Sequence, residues 1–280
     1  MKTSPLLSRL IFHLTSLVVL MCVFALFISP PATVKVLQAT NLPEFSNSYP
    51  PDPSADIAWN AGYSGVADIQ AAFNYARGQE NAKLGLSVPM LALPSQSAWN
   101  AMNNGEKAIW LINRERQDRS VAPLHNIETN VTSVAQNYAQ YLLANNKFGH
   151  NADGHDPWWR LDQNPAIFAC HDNLSVAENI AGFWTTGSSI ALPIEQSIYG
   201  FMYEDGECCS WGHRHAVLWY PYNDNSGPAG REGFLGIGRA SGPHMGWNFA
   251  EIIVMNIFDQ CSTWVYDLGP NKNFLSLVKK

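Results

Sequence analysis

Apolar residues recur along this chain with two periods, and the change from one to the other organises the rest. Val66, Ile69, Phe73 and Ala76 are three or four apart, which predicts a short helix that stops near Gly78 and packs on the main domain. Residues 106–114 read as a helix with an almost wholly buried first turn (Ala108 to Ile112), followed by a turn from Arg119 to Pro123. A second long helix is expected from about Asn130 to Lys147, with Val131, Val134, Ala135, Tyr138 and Leu142 on one face. Another is expected between Ile194 and Tyr203. Beyond these, residues 234–238 and 247–258 are β-rich and flank Gly242-Pro243, which predicts an antiparallel pair turning at that dipeptide. Helices first and strands last indicate an α+β domain.

The N-terminal pattern is different. Lys2 and Arg9 precede an apolar stretch from Leu10 to Ile28, closed by Ser29-Pro30-Pro31-Ala32, which is the layout of a secretory signal. The stretch also approaches the roughly 17 to 25 residues that span a bilayer, so an uncleaved anchor stays open as the second reading of residues 1–32. Either reading delivers the remainder outside, as an extracellular protein or an outward-facing anchored one. Residues 33–98 form a linker, rich in Pro, Ser and Asn around 47–53, and a helical extension; 99–262 form the main domain and 263–280 a tail.

Composition agrees with a folded chain: 280 residues, 46% hydrophobic and 14% charged, can bury a sizeable core. The net charge is −6, and loss of Lys2 and Arg9 would lower it by two more. With no basic run, nucleic acid is excluded as a partner, and membrane contact is expected only through the N-terminal segment.

Outside the leader stand Cys170, Cys208, Cys209 and Cys261. In an oxidising compartment an even count reads as disulfides. A bond between the neighbours Cys208 and Cys209 would strain the ring they close, leaving two schemes that tie one of them to Cys170 and the other to Cys261. A metal site is the rival, but adjacent cysteines lack the C-x-x-C spacing that aims two thiolates at one ion.

Four further motifs follow in order: Phe148-Gly149-His150 closing a long helix, Ala177-Glu178-Asn179-Ile180, Phe201-Met202-Tyr203-Glu204, and Gly212-His213-Arg214 with Leu218 and Pro221. Together they resemble the CAP superfamily (cysteine-rich secretory protein, antigen 5, pathogenesis-related; SCP-like extracellular domains), in its bacterial-type branch. The similarity runs from about Lys107 to Phe258. Phe201 stands where the family usually has Trp, and Ala177 where it usually has Gly. The resemblance implies a three-layer α-β-α sandwich with a central antiparallel sheet, and a cleft tetrad of His150, Glu178, Glu204 and His213. Glu195 and Glu207 compete with Glu204 for the third position.

Two converging imidazoles can hold a divalent cation such as zinc through neutral nitrogens, His150 and His213 being the metal ligands. Two histidines without a third protein ligand would hold it weakly. The function expected is an extracellular binding module; the resemblance adds a separate apolar groove for sterol or fatty acid as a ligand. The alternative is a metal-dependent, peptidase-like hydrolase with Glu178 or Glu204 as base. No H-E-x-x-H helix and no G-x-S-x-G elbow support an enzyme. His155 and Asp156 read as turn residues, His171 as solvated, His215 as a loop or structural residue ahead of a ligand facing the same side of a strand as His213, and Trp158 and Trp159 as core ahead of a lip for carbohydrate or lipid.

Overall fold

The structure, a computed structural model, describes residues 50–169, 176–218 and 233–258. The leader, Cys170, His171, Pro221, Cys261 and the tail lie outside the described residues. Among the described residues, no helix is long and apolar enough to cross a membrane. The class is α+β, with a four-stranded sheet and helices around it.

In chain order the elements are α1 (Val66–Leu84), α2 (Gln96–Ala101), α3 (Asn104–Gln117), β1 (Asn126–Ile127), α4 (Thr129–Ala144), α5 (Pro157–Asp162), α6 (Pro165–Phe168), β2 (Val176–Thr185), α7 (Pro193–Tyr203), α8 (Gly206–Cys209), α9 (Gly212–Leu218), β3 (Phe234–His244) and β4 (Trp247–Phe258). The sheet order is β1-β3-β4-β2, which puts β2 at an edge. The three long strands are antiparallel, while β1 runs parallel to β3, so the sheet is mixed and not antiparallel throughout. All of α4 to α9 separates β1 from β3, and no hairpin dictates their sense.

The β3–β4 hairpin forms, but its turn is not at Gly242-Pro243. It lies at Met245-Gly246, whose φ angles of 51° and 85° match the two left-handed positions of a tight hairpin turn. Pro243 instead sits within β3 where the pairing register is irregular, a place where a missing N–H breaks no regular ladder bond.

Alternate residues of β4 enter different clusters, as a pleated strand requires. Ile252 and Val254 join Ala135, Tyr138 and Leu142 of α4. Ile253, Met255 and Ile257 join residues of α1, α3 and α7. The α4 helix approaches β3 to the limit of backbone contact. A Cβ added at Gly236 would lie 2.3 Å from the Val131 carbonyl carbon, and one at Gly238 would lie 2.3 Å from that of Ala135.

The first helix is longer than its apolar period. It continues past Gly78 to Leu84 and ends on Gly85 in the left-handed region, because its inward face carries on with Arg77 and Glu80, both fully buried. Arg77 Nη2 lies 2.8 Å from Glu115 Oε1, and Arg77 Nη1 lies 2.7 Å from Asp118 Oδ2. Arg119 pairs with Glu80 and Glu115, Arg214 pairs with Glu80, and the Tyr203 hydroxyl donates to Glu115 Oε2 at 2.8 Å. Buried charges of this kind persist only when each is matched. Ile57, Phe73, Leu91 and Trp99 share one cluster with α3 and α7, so residues before Trp99 help build the same core.

Gly238→Ala should lower unfolding free energy by about 2 kcal/mol or more, since backbone cannot step aside as a side chain can. Gly78→Ala, with nothing within 4 Å of the added carbon, should raise it by roughly 0.5–1 kcal/mol; denaturant titration of both variants checks the contrast. Burial alone would raise the pKa of Glu115, but Arg77 and Arg119 outweigh it and hold the carboxyl at about 2. A depressed pKa stabilises the fold above the unfolded value near 4.5 and loses that contribution as pH falls toward 2, on the order of 3 kcal/mol. Urea unfolding at pH 6 and pH 3 should therefore show a steeper acid loss for wild type than for Glu115→Gln, which begins less stable by about 3–5 kcal/mol.

Candidate functional site

The site straddles the edge strand β2. Consecutive strand residues point to opposite faces, so Glu178 and Asn179 serve two different neighbours. Glu178 Oε1 lies 3.0 Å from His150 Nδ1. The Asn179 side-chain amide donates to the His213 carbonyl at 3.0 Å. The two residues next to each other on β2 thus touch His150 and His213, whose ring centres lie 6.3 Å apart.

The His150 side is set by α4. The Tyr138 hydroxyl donates to the carbonyls of Gly149 at 2.6 Å and His150 at 2.9 Å, and accepts from the Ala152 N–H at 3.1 Å. Burial pushes the Tyr138 phenol up to about 12, so it stays protonated and able to donate. Arg160 of α5 completes this side. Its Nη2 lies 2.8 and 2.9 Å from the two oxygens of Glu178 and donates to the His150 carbonyl at 2.9 Å. The guanidinium lies 3.5 Å from the Tyr138 ring centre, within cation–π range.

The His213 side is set by Asp205. Oδ1 lies 2.6 Å from His213 Nδ1, and Oδ2 accepts from the Arg214 N–H at 3.0 Å. The Asp205 carbonyl accepts from Cys209 and Trp211, at 3.2 and 3.0 Å, winding residues 205–211 into a tight bend. Ser210 and Trp211 both take left-handed φ angles, 51° and 64°, a local cost that side chains other than Gly rarely bear. In this bend Cys208 and Cys209 are bonded to each other, with sulfurs 2.20 Å apart. This corrects the expected pairing of each with Cys170 or Cys261: the bend turns neighbouring side chains together.

His213 also lines a cavity of about 230 Å³ with Trp59, Phe183, Tyr199, Phe201 and Glu204, and with Asp205 and Cys208 on its wall. Glu204 Oε1 accepts the Trp59 N–H at 2.6 Å. Glu204 as a residue is exposed, yet its carboxyl sits against the cavity wall, and loss of solvent raises its pKa, opposed by the Trp59 N–H. Its competitors go elsewhere. Glu195 is buried and accepts from Trp99 Nε1 at 2.8 Å, and the Glu207 N–H donates to Asp56 at 3.1 Å.

His215 lies on the helix α9 and not on a strand, so it does not face the same way as His213; its Nε2 lies 3.1 Å from both Asp52 oxygens. His155 stacks on Trp159 at 3.5 Å, and Asp156 caps α5 by accepting from the Trp159 N–H. Trp159 is 43% exposed and not core, because the α5 face that turns inward carries Arg160 and Leu161. Arg160 and Asp205 are the residues of this cluster that sequence reasoning missed. The adjacency of Asp205 to Glu204 was the available signal for one; the other had none beyond its place in the α5 turn.

Two groupings could hold a metal. In the first, each imidazole has its Nδ1 on a carboxylate, the arrangement that orients Nε2 of a metal-binding histidine. Bonds of about 2 Å from one ion to both rings would place their centres roughly 5 Å apart at a tetrahedral angle, about 1 Å closer than they stand. In the second, Asp205, Cys208, Cys209 and His213 each offer an atom, all within 4.8 Å of one another.

Arg160→Met should strand Glu178 in a buried position and cost about 3–5 kcal/mol of stability. Adding Glu178→Gln to that variant should restore a large part of the loss, a coupling that a double-mutant cycle by urea unfolding measures. Comparison of the chain with protein-family models, with curated proteins and with solved structures finds no match to any of them.

Proposed function

We propose that this chain is a CAP-like extracellular binding module, with the three-layer sandwich of that superfamily, whose site takes a divalent cation weakly through His150 and His213. One observation carries the reading: two imidazoles stand 6.3 Å apart, centre to centre, each with Nδ1 held by a buried carboxylate, Glu178 or Asp205. Preparing both rings in this way favours a shared ligand between them. The four ordered motifs, from His150 to His213, support the family.

Binding is favoured over hydrolysis by what the other carboxylates are doing. Glu178 has both oxygens on Arg160, and Glu204 has Oε1 on the Trp59 N–H, so each carboxylate already serves the packing of its neighbours. Sterol or fatty acid would need a different groove. The cavity of about 230 Å³ beside His213 falls below the roughly 300–1,000 Å³ of sites for drug-sized ligands.

The test is calorimetric titration of Zn²⁺ into the full chain without reductant. Wild type should take up one ion weakly, and His150→Ala with His213→Ala should bind at least tenfold more weakly or not at all. Equal uptake by both would contradict the assignment of these ligands. Peptide turnover that disappears with chelator and in Glu204→Gln would contradict the non-enzymatic reading.

A further inference from the structure

The disulfide in the 205–211 bend occupies two of the three ligand-type side chains gathered around His213. Asp205 Oδ1 lies 2.6 Å from His213 Nδ1 and 3.8 Å from Cys208 Sγ, so one carboxylate oxygen already stands between ring and sulfur. Asp205 is buried, Cys208 is exposed and Cys209 is half-buried. Cys208, but not Cys209, lines the cavity wall beside His213. In the disulfide neither sulfur is a strong donor, since the thiolate is the species that binds metal.

We propose that this disulfide is a redox gate over a second, thiolate-containing metal site formed by Cys208, Asp205 and His213, with Cys209 as the residue that masks Cys208 when oxidised. The ligand class is a soft or borderline divalent cation such as zinc, because one thiolate, one imidazole and one carboxylate form the mixed set that such ions accept. Three protein ligands leave a fourth position open. The opening step needs a dithiol reductant. One of its thiolates attacks the disulfide, the Cys208–Cys209 bond breaks through a mixed disulfide, and the second thiol releases the reductant as its own disulfide. Two electrons and two protons end on Cys208 and Cys209. Cation binding then releases the Cys208 thiol proton to solvent.

The only ligand common to the two sites is His213, with Asp205 orienting its ring in the first and binding the cation in the second, which separates this proposal from the two-histidine reading. It also implies competition: a ring drawn toward Asp205 and Cys208 by a cation is removed from His150. Oxidised and reduced protein should therefore hold metal differently, the first through His150 and the second independently of it.

Cobalt(II) alone is the probe, added to the full chain and read by the near-ultraviolet thiolate-to-cobalt charge-transfer band. Oxidised wild type should give no band, and protein pre-reduced with a dithiol should give one at about one equivalent of metal. Cys209→Ser, which leaves Cys208 unmasked, should give the band without reductant; His150→Ala should leave the reduced band unchanged. Cys208→Ser and His213→Ala should each lose at least nine-tenths of it. Absence of the band in both Cys209→Ser and reduced wild type would overturn the proposal. So would its persistence in Cys208→Ser, or in Cys208→Ser with Cys209→Ser, where the remaining cysteines would be the source. If oxidised protein binds zinc without regard to His150 but the Cys208 band behaves as expected, the two-histidine reading fails and the gate stands.

Discussion

The Glu178 side chain is wholly buried at the sheet edge, and the Arg160 guanidinium lies across both of its oxygens. A carboxylate removed from water needs such a partner, because its isolated burial would cost several kcal/mol. Arg160 discharges that requirement and, with its remaining contacts, fixes the surrounding chain. It holds the His150 carbonyl, pairs with Asp153 and covers the Tyr138 ring. The position of the His150 ring thus follows from how one buried acid is matched. The same logic recurs on the other side of β2. Arg214 is buried against Glu80, its N–H meets Asp205, and Asp205 orients the neighbouring His213.

These clamps work because the scaffold beneath them is stiff. Gly236 and Gly238 let α4 lie directly on β3, and α4 supplies the Tyr138 hydroxyl that gathers Gly149, His150 and Ala152. On the far side, the segment before α1 takes part in the site and does not merely precede it. The Ile57 N–H donates to the Tyr203 carbonyl at 2.7 Å, Asp56 accepts from the first N–H of α8 at 2.6 Å, and Trp59 walls the cavity. Packing, backbone bonds and the site therefore belong to one cooperative structure.

Helices whose inward faces are apolar were legible from spacing: α3, α4 and α7 fall where the periodicity places them, and β3 and β4 pair as expected. The reading failed where burial and hydropathy part company. The α1 helix continues beyond Gly78 on Arg77 and Glu80, which no hydrophobic period can register. Trp159 looked like core and is exposed, while Arg160 beside it is buried. The hairpin turn moved to Met245-Gly246 because left-handed φ angles, and not proline content, select a tight two-residue turn. The motifs named both histidines and Glu178, which lie close together. They named neither the Asp205 partner of His213 nor the Cys208–Cys209 bond, since both depend on a local bend that folds adjacent residues onto each other.

What unites these observations is a two-histidine centre held by carboxylates at the edge of the sheet. X-ray absorption at the zinc edge of the oxidised, zinc-loaded protein tests it most directly. A shell of nitrogen and oxygen only, with the outer scattering of two imidazoles that falls to one in His150→Ala, is the predicted result. Sulfur in that shell, or a spectrum unchanged by His150→Ala, would contradict it.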